Sequence, residues 1–515
     1  LSSIVGEHRE ECAAFPADFA RIPRPVPSRE RAEYRSEMQT RNRIGAEWVG
    51  ADDGGEVAVV DPATDEELAR VPAAGPREAA RAIAAAAAAL GPWRERPARE
   101  RAAILRRAYD GMIERREALA WLLTREQGKP LAEARAEIDY AASFVEWAAE
   151  EAKRVYGDLV PSSHADRRIL VLRQPVGVTA CVTPWNFPAA MITRKLGPAL
   201  AAGCTMIVKP ALETPLTALA LTEVFLEAGV PPGVVNVITG DAPPIVDALL
   251  ASPLVRKLSF TGSTRVGRLL MAKAAPNLTR LSLELGGHAP FLVFDDAELD
   301  AAVRGALHAK LRNMGQTCVS ANRFLVQEGI HERFCAAFAT AMGDLHIGRG
   351  TDPGVQVGPL VSDAAIEKVE RHVEDARSRG ARVLVGGARA RPAPDLADRF
   401  YAPTLLDGFT AEMLVSQEET FGPVAPVCTF RTEEEGIALA NASPYGLAAY
   451  AYTRDVGRAF RVAERLEYGI VGLNDGAPST AQAPFGGVKA SGFGREGGKY
   501  VMHEYLDIKY VSLGL

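Results

Sequence analysis

Between residues 178 and 285 the chain repeatedly switches its pattern. Short apolar segments at 178–182, 205–209, 234–239, 257–260 and 281–285 are separated by stretches with apolar residues at helical spacing, at 191–202, 217–228, 244–251 and 266–275. A strand that is apolar on both faces has no side to give to water. Successive strands joined by helices run parallel. The pattern therefore predicts a parallel α/β sheet covered on both faces, and such sheets bind nucleotides at the carboxyl ends of their strands. A second alternating series runs from Phe291 to about Gly487 and includes strands at 324–327, 382–385, 425–429 and 469–473. It predicts a second α/β domain.

Upstream, two short strands at 57–60 and 68–71 flank the turn Asp61-Pro62-Ala63-Thr64, and helices are expected at 76–90, 98–115, 117–127 and 131–156. The alanine-rich part of the first of these reads as a buried helix. Residues 168–173 and the tail 504–511 alternate as strands and have no obvious partner nearby. Together they are expected to form a projecting sheet that pairs with another subunit. Residues 1–40, rich in Arg, Glu and Pro, read as an extension that is partly disordered or draped on the surface.

Composition excludes several classes. The formal net charge of −6 gives no basic nucleic-acid surface. No apolar run reaches the length of a membrane span. The six cysteines are scattered without a Cys-x-x-Cys pair, and the histidines do not fall at metal-ligand spacing. A reduced, cytoplasmic protein without a structural metal is expected, acting on a small molecule rather than on nucleic acid or membrane.

Three residues have the chemistry for covalent work on a carbonyl. Cys318, in Gly315-Gln316-Thr317-Cys318, lies in a polar turn after a helix, where backbone N–H groups can stabilise a thiolate and then an oxyanion. Glu284 ends an apolar strand just before Gly286-Gly287, and burial there would raise its pKa towards that of a useful base. Asn186 sits in the stiff loop Thr183-Pro184-Trp185-Asn186-Phe187-Pro188 and can offer an amide to an oxyanion. Singly, each has a plain structural alternative: a buried thiol, an exposed strand end, an Asx turn. The turn Gly262-Ser263-Thr264-Arg265-Val266-Gly267 opens a helix after a strand, which suits a phosphate. Lys209, at the end of another strand, can offer an ammonium to a ribose or phosphate. Arg194 and Arg312 would together suggest a carboxylate at the far end of the substrate.

In this order, these motifs resemble those of the aldehyde dehydrogenase superfamily from about residue 41 to the C-terminus. Phe260-Thr261-Gly262-Ser263-Thr264, Leu283-Glu284-Leu285-Gly286-Gly287 and Glu419-Thr420-Phe421-Gly422-Pro423 belong to the same likeness. The resemblance implies two doubly wound α/β domains plus a small β oligomerisation domain, assembled as a homodimer or homotetramer. Mapped here, the cofactor-binding domain covers 41–156 and 176–286, the catalytic domain 287–490, and the bridging segments 157–175 and 491–515. It implies Cys318 as nucleophile, Asn186 with the Cys318 amide as oxyanion holders, and Glu284 as activator of water. Trp185, Lys209, Gly262, Ser263, Gly267, Glu419 and Phe421 would hold a nicotinamide dinucleotide.

Within the superfamily, Trp185 to Lys195 is most similar to succinate-semialdehyde dehydrogenases. That group implies Arg194, Arg312 and Ser479 as binders of the substrate carboxylate. Glutarate semialdehyde, one methylene longer, is the near competitor. A broader aldehyde specificity and a non-catalytic homologue are the further alternatives. Two departures stand out. Ser320 occupies the position where some relatives carry a second cysteine, so no thiol switch is expected. Leu212 stands where NAD-preferring relatives often place a ribose-binding Glu, with Glu213 one place later. The cofactor is therefore NADP or NAD, with NADP slightly favoured.

Overall fold

The computed structural model describes residues 38–515; the expected extension at 1–40 lies almost wholly outside the described residues. The body carries two large sheets. In the first, Val235–Val237, Thr205–Lys209, Val178–Val182, Val255–Thr261 and Arg280–Glu284 lie side by side in that order, all parallel. Asn42–Ile44 and Glu47–Val49 extend one edge, and Gly492–Phe493, from within the segment assigned to bridging, pairs antiparallel on the other. The chain runs outward from Val178–Val182 in one direction, then returns to start Val255–Thr261 on its other side. The carboxyl ends of those two strands therefore flank a topological switch point, the place where open α/β sheets leave a crevice. Register brings Val182 level with Lys209 and Phe260, and Thr261 level with Glu284.

The second sheet runs Arg382–Val385, Thr404–Asp407, Val424–Phe430, Ala321–Gln327, Ala289–Val293, Ala448–Tyr452 and Ile470–Leu473, parallel except for its first strand. Alternation along one strand shows why both faces must be covered. Ala289, Phe291 and Val293 enter one core, with Phe324, Phe334 and Phe338. Leu292 and the following Phe294 enter another, with Val369, Val424 and Ala451.

The third sheet is antiparallel: Leu506–Gly514 pairs with Arg167–Pro175 over its whole length, and Asp158–Val160 pairs on the other side. The two alternating segments without nearby partners thus partner one another. One helix differs from expectation. Pro76–Glu95 buries only one stripe, with Ala79, Ala82, Ile83 and Ala86 packed on the first sheet. Ala85 and Ala87 are half-buried against the same core, whereas Ala80, Ala84 and Ala88 face outward, since a methyl group exposes little apolar surface and alanine favours the helix in any setting. None of the described helices is long and apolar enough to cross a membrane.

Candidate active site

The Pro184–Pro188 loop leaves the carboxyl end of Val178–Val182 and leads into the helix Ala190–Ala202. A buried ion pair fixes it. Lys129 Nζ and Glu137 Oε2 are 2.5 Å apart and both side chains are fully buried. The same ammonium donates to Asn186 O at 2.8 Å, while Glu137 Oε1 accepts from the Ala189 and Ala190 amides at 3.0 and 3.3 Å. The loop is thus tied at its middle and at the start of its helix. Asn186 Nδ2 donates to Gln316 O at 3.0 Å, and Asn313 Nδ2 returns a bond to Asn186 O at 3.0 Å. One amide hydrogen of Asn186 anchors the side chain, and the second remains for an oxyanion.

The turn before Cys318 is wound left-handed through three residues, Asn313 (φ 53°), Met314 (φ 55°) and Gly315 (φ 74°). Two of these are not glycine, which is uncommon and marks a site held by its surroundings. Glu133 Oε2 accepts from the Asn313 amide at 2.7 Å, and Gln316 Oε1 accepts from the Val361 amide at 3.1 Å. Gly315 is required on two counts, since a Cβ there would also lie 2.2 Å from Gly422 O. A Cβ on Gly287 would lie 2.2 Å from Cys318 O, so the glycine pair after Glu284 lets that backbone pack directly on the cysteine.

Cys318 is half-buried, and burial around its sulfur pushes the thiol up to about 12, with Arg194 and Arg312 pulling it down and Glu419 and Glu284 adding to the rise. The sulfur is therefore protonated at neutral pH and needs a proton acceptor before it can attack. Glu284 is buried, and neither carboxyl oxygen has a hydrogen-bond partner among the described residues. Burial, and then the charge of Glu496, raise its pKa well above the usual carboxylate range; Arg194, Lys195 and Arg495 oppose this.

Arg194 is buried over the Phe485 ring, its guanidinium carbon 3.7 Å from the ring centroid. Its Nε lies 3.0 Å from Glu496 Oε2 without the alignment of a hydrogen bond, and Nη2 has no partner. Arg312 lies over Phe187 at 4.8 Å and forms no ion pair. It lines a narrow cleft with His308, Thr317, Val319, Tyr450 and Ser479. The structure thus brings Arg312 and Ser479 together beside the residues flanking Cys318. Arg194 is not among the cleft-lining residues, although its charge acts on the same sulfur.

The expected cofactor residues surround the switch point. Lys209 is buried at its strand end, where burial lowers its pKa to about 8 against the opposing charges of Glu213 and Asp241. It forms no hydrogen bond or ion pair among the described residues, and Glu213 itself is exposed. The Gly262 amide donates to Glu284 O at 3.0 Å and the buried Gly267 to Ser263 O at 3.0 Å. Ser263 caps the helix Thr264–Ala274, its hydroxyl accepting from the Val266 amide at 3.3 Å. Glu419 Oε1 accepts from the Gly287 amide at 3.0 Å, and burial lifts its carboxyl to about 7. Phe421, left-handed at φ 57°, meets the Trp185 ring edge-on at 5.6 Å. A partly neutralised ammonium without a partner, at a strand's carboxyl end and near a helix start, fits an anionic dinucleotide.

Several functional partners escaped the sequence reading. Glu137 left a signal, a lone acid in the buried stripe Ala134, Ile138, Ala141 of its helix. Lys129 in Gly128-Lys129-Pro130 left none. His331, Cys335 and Asp407 also converge, with donor atoms within 4.8 Å. Both Asp407 oxygens are engaged there, by His331 Nε2 at 2.9 Å and by Arg382, so the cluster satisfies itself. Of the other described cysteines, Cys181, Cys204 and Cys335 are buried and Cys428 half-buried. Ser320 is buried, its hydroxyl donating to Lys310 O at 3.3 Å.

Comparison with known proteins agrees with this geometry. The aldehyde dehydrogenase family model matches residues 48–511. The NADP-dependent succinate-semialdehyde dehydrogenase of Escherichia coli K12 is 56% identical over 472 residues, 92% of this chain and 97% of its own length. The glutarate-semialdehyde dehydrogenase of Pseudomonas aeruginosa is 55% identical over 471 residues, again 92% and 97%. The crystal structure of succinate-semialdehyde dehydrogenase from Burkholderia pseudomallei superposes with a TM-score of 0.91 at 54% identity, covering 93% of this chain and 99% of that one. This chain belongs to the aldehyde dehydrogenase family.

Proposed function

We propose that the protein oxidises an ω-carboxy semialdehyde, succinate semialdehyde first, to the dicarboxylic acid, with NADP or NAD as acceptor. The observation that carries this reading is the cleft beside Cys318, in which the Arg312 guanidinium and the Ser479 hydroxyl make no hydrogen bond among the described residues. Such donors suit a substrate carboxylate. Arg194, buried with an unpaired Nη2, supplies further positive charge near the thiol. The 5-carbon homologue differs by one methylene, worth only about 1–3 kcal/mol of discrimination.

The Cys318 thiol proton passes to a solvent water as Sγ bonds to the aldehyde carbon, and the C=O π pair moves onto oxygen, where Asn186 Nδ2 and the Cys318 amide hold the oxyanion. When bound, the nicotinamide supplies the hydride acceptor that converts this adduct to the thioester. Glu284, once deprotonated, takes a proton from water, whose oxygen attacks the thioester carbon and releases Cys318. Lys209 and the helix start at Ser263 would hold the adenosine end of the dinucleotide, and Glu419 the nicotinamide ribose. Leu212 offers no carboxylate to repel a 2′-phosphate, which supports NADP. Within this reading, residues 41–156 with 176–286 serve the cofactor and 287–490 carry the thiol. The third sheet leaves Ile508 and Tyr510 exposed on one face, at 66% and 62%, and Leu159 on the other at 72%, apolar surface suited to burial against a second copy of the chain.

A panel of semialdehydes and uncharged aldehydes with both cofactors tests the proposal. It expects kcat/KM for succinate semialdehyde to exceed that for butanal by about a hundredfold, the worth of a paired carboxylate. Equal values would remove it.

A further inference from the structure

The same cleft holds a third side chain with no partner. His308 lies one helical turn before Arg312, in the helix Leu299–Leu311, and the Arg312 amide donates to His308 O. Residues four apart on a helix share a face, so imidazole and guanidinium open on one side. Both line the cleft, with the Gly476–Ser479 segment among its other walls. The His308 ring makes no hydrogen bond, ion pair or ring contact among the described residues, and neither does the Ser479 hydroxyl. Arg312 lies nearer Cys318 along the chain, and His308 is exposed at the mouth.

Resting on the reading of the substrate as an ω-anionic aldehyde, we propose that His308 is a specificity-determining residue. With Arg312 and Ser479 it completes a cradle for the distal anion, and its ring N–H reaches the carboxylate of substrates longer than the four-carbon semialdehyde. One extra methylene carries the distal carboxylate further along the cleft wall that Arg312 and His308 share, so the longer chain meets this ring while the shorter one ends at Arg312 and Ser479. Partial burial and the Arg312 charge hold the ring's pKa below its ordinary value, against Asp475. It therefore acts at neutral pH as a neutral donor rather than as a second cation.

The test is kcat/KM for succinate semialdehyde, glutarate semialdehyde and butanal with the full chain, His308→Ala and His308→Gln. In His308→Ala the glutarate value should fall about tenfold, the worth of one hydrogen bond to a charged group, with the succinate value changing less than about threefold and butanal unchanged. His308→Gln, which keeps a donor, should restore most of the loss. Equal losses on all three substrates, or none on any, would overturn the inference. Wild-type protein that does not prefer semialdehydes over butanal would instead overturn the function proposed above.

Discussion

The Asn186–Cys318 region and the distal cleft are built on opposite plans, although Thr317 and Val319 join them. Around Cys318 the groups that shape the backbone are engaged, while Glu284 keeps both carboxyl oxygens without a partner among the described residues. Lys129 and Glu137 hold the backbone of Asn186, Ala189 and Ala190, Asn313 and Gln316 bind each other's backbone, and three left-handed residues in a row are held in place. In the cleft, the side chains of Arg312, His308 and Ser479 have no hydrogen-bond partner among the described residues. Bond-making needs fixed geometry before the substrate arrives, whereas recognition of an anion needs donors kept free for it. Donors left unpaired in this way are open to a substrate anion.

Substitutions on the two sides should therefore fail differently. The largest effect belongs to the thiol: Cys318→Ala should lower kcat at least about ten-thousandfold on every aldehyde, charged or not, with Tm little changed. Lys129→Met strands the Glu137 carboxylate without its ammonium. Denaturant unfolding should show a loss of about 3–5 kcal/mol, and kcat should fall on all substrates alike because the Asn186 loop loosens. Arg312→Ala, on the cleft side, should raise KM for succinate semialdehyde about 10- to 100-fold and leave butanal nearly unchanged. Parallel losses on both substrates would erase the distinction between the two regions.

The smallest effect concerns Lys209. Its folded pKa of about 8 lies below that of a free lysine, so the ammonium loses its charge as pH rises through that value. KM for NADP should climb severalfold above that pH while KM for NAD stays flat. A flat NADP profile would separate Lys209 from the 2′-phosphate.

What could be seen in the sequence follows the same division. Cys318, Glu284 and Asn186 stood out because each lies in a distinctive turn after a helix or at a strand end, and strand order carries the ends bearing Asn186 and Glu284 to one edge of the first sheet. The apolar alternation also gave both sheets and the projecting hairpin partner of the tail. The buried network was mostly illegible. Lys129 and Asn186 are far apart in sequence, and no local pattern marks a carbonyl that will accept an ammonium. Asn313 tolerates a left-handed backbone, but Met314 carries no sign that it will turn left-handed, because neighbours impose that conformation on a residue that ordinarily avoids it. His308 reads as one polar residue on an amphipathic helix until the Gly476–Ser479 segment is placed opposite it.

The central claim is that Cys318 carries the acyl group and Glu284 releases it. Glu284→Gln keeps the shape of the buried side chain but removes the base, so the thioester should persist. Mixed with succinate semialdehyde and NADP, then quenched and digested for mass spectrometry, this variant should carry a succinyl group on the Cys318 peptide. Wild-type rates of turnover with no adduct, or an acyl group on any other residue, would contradict the account.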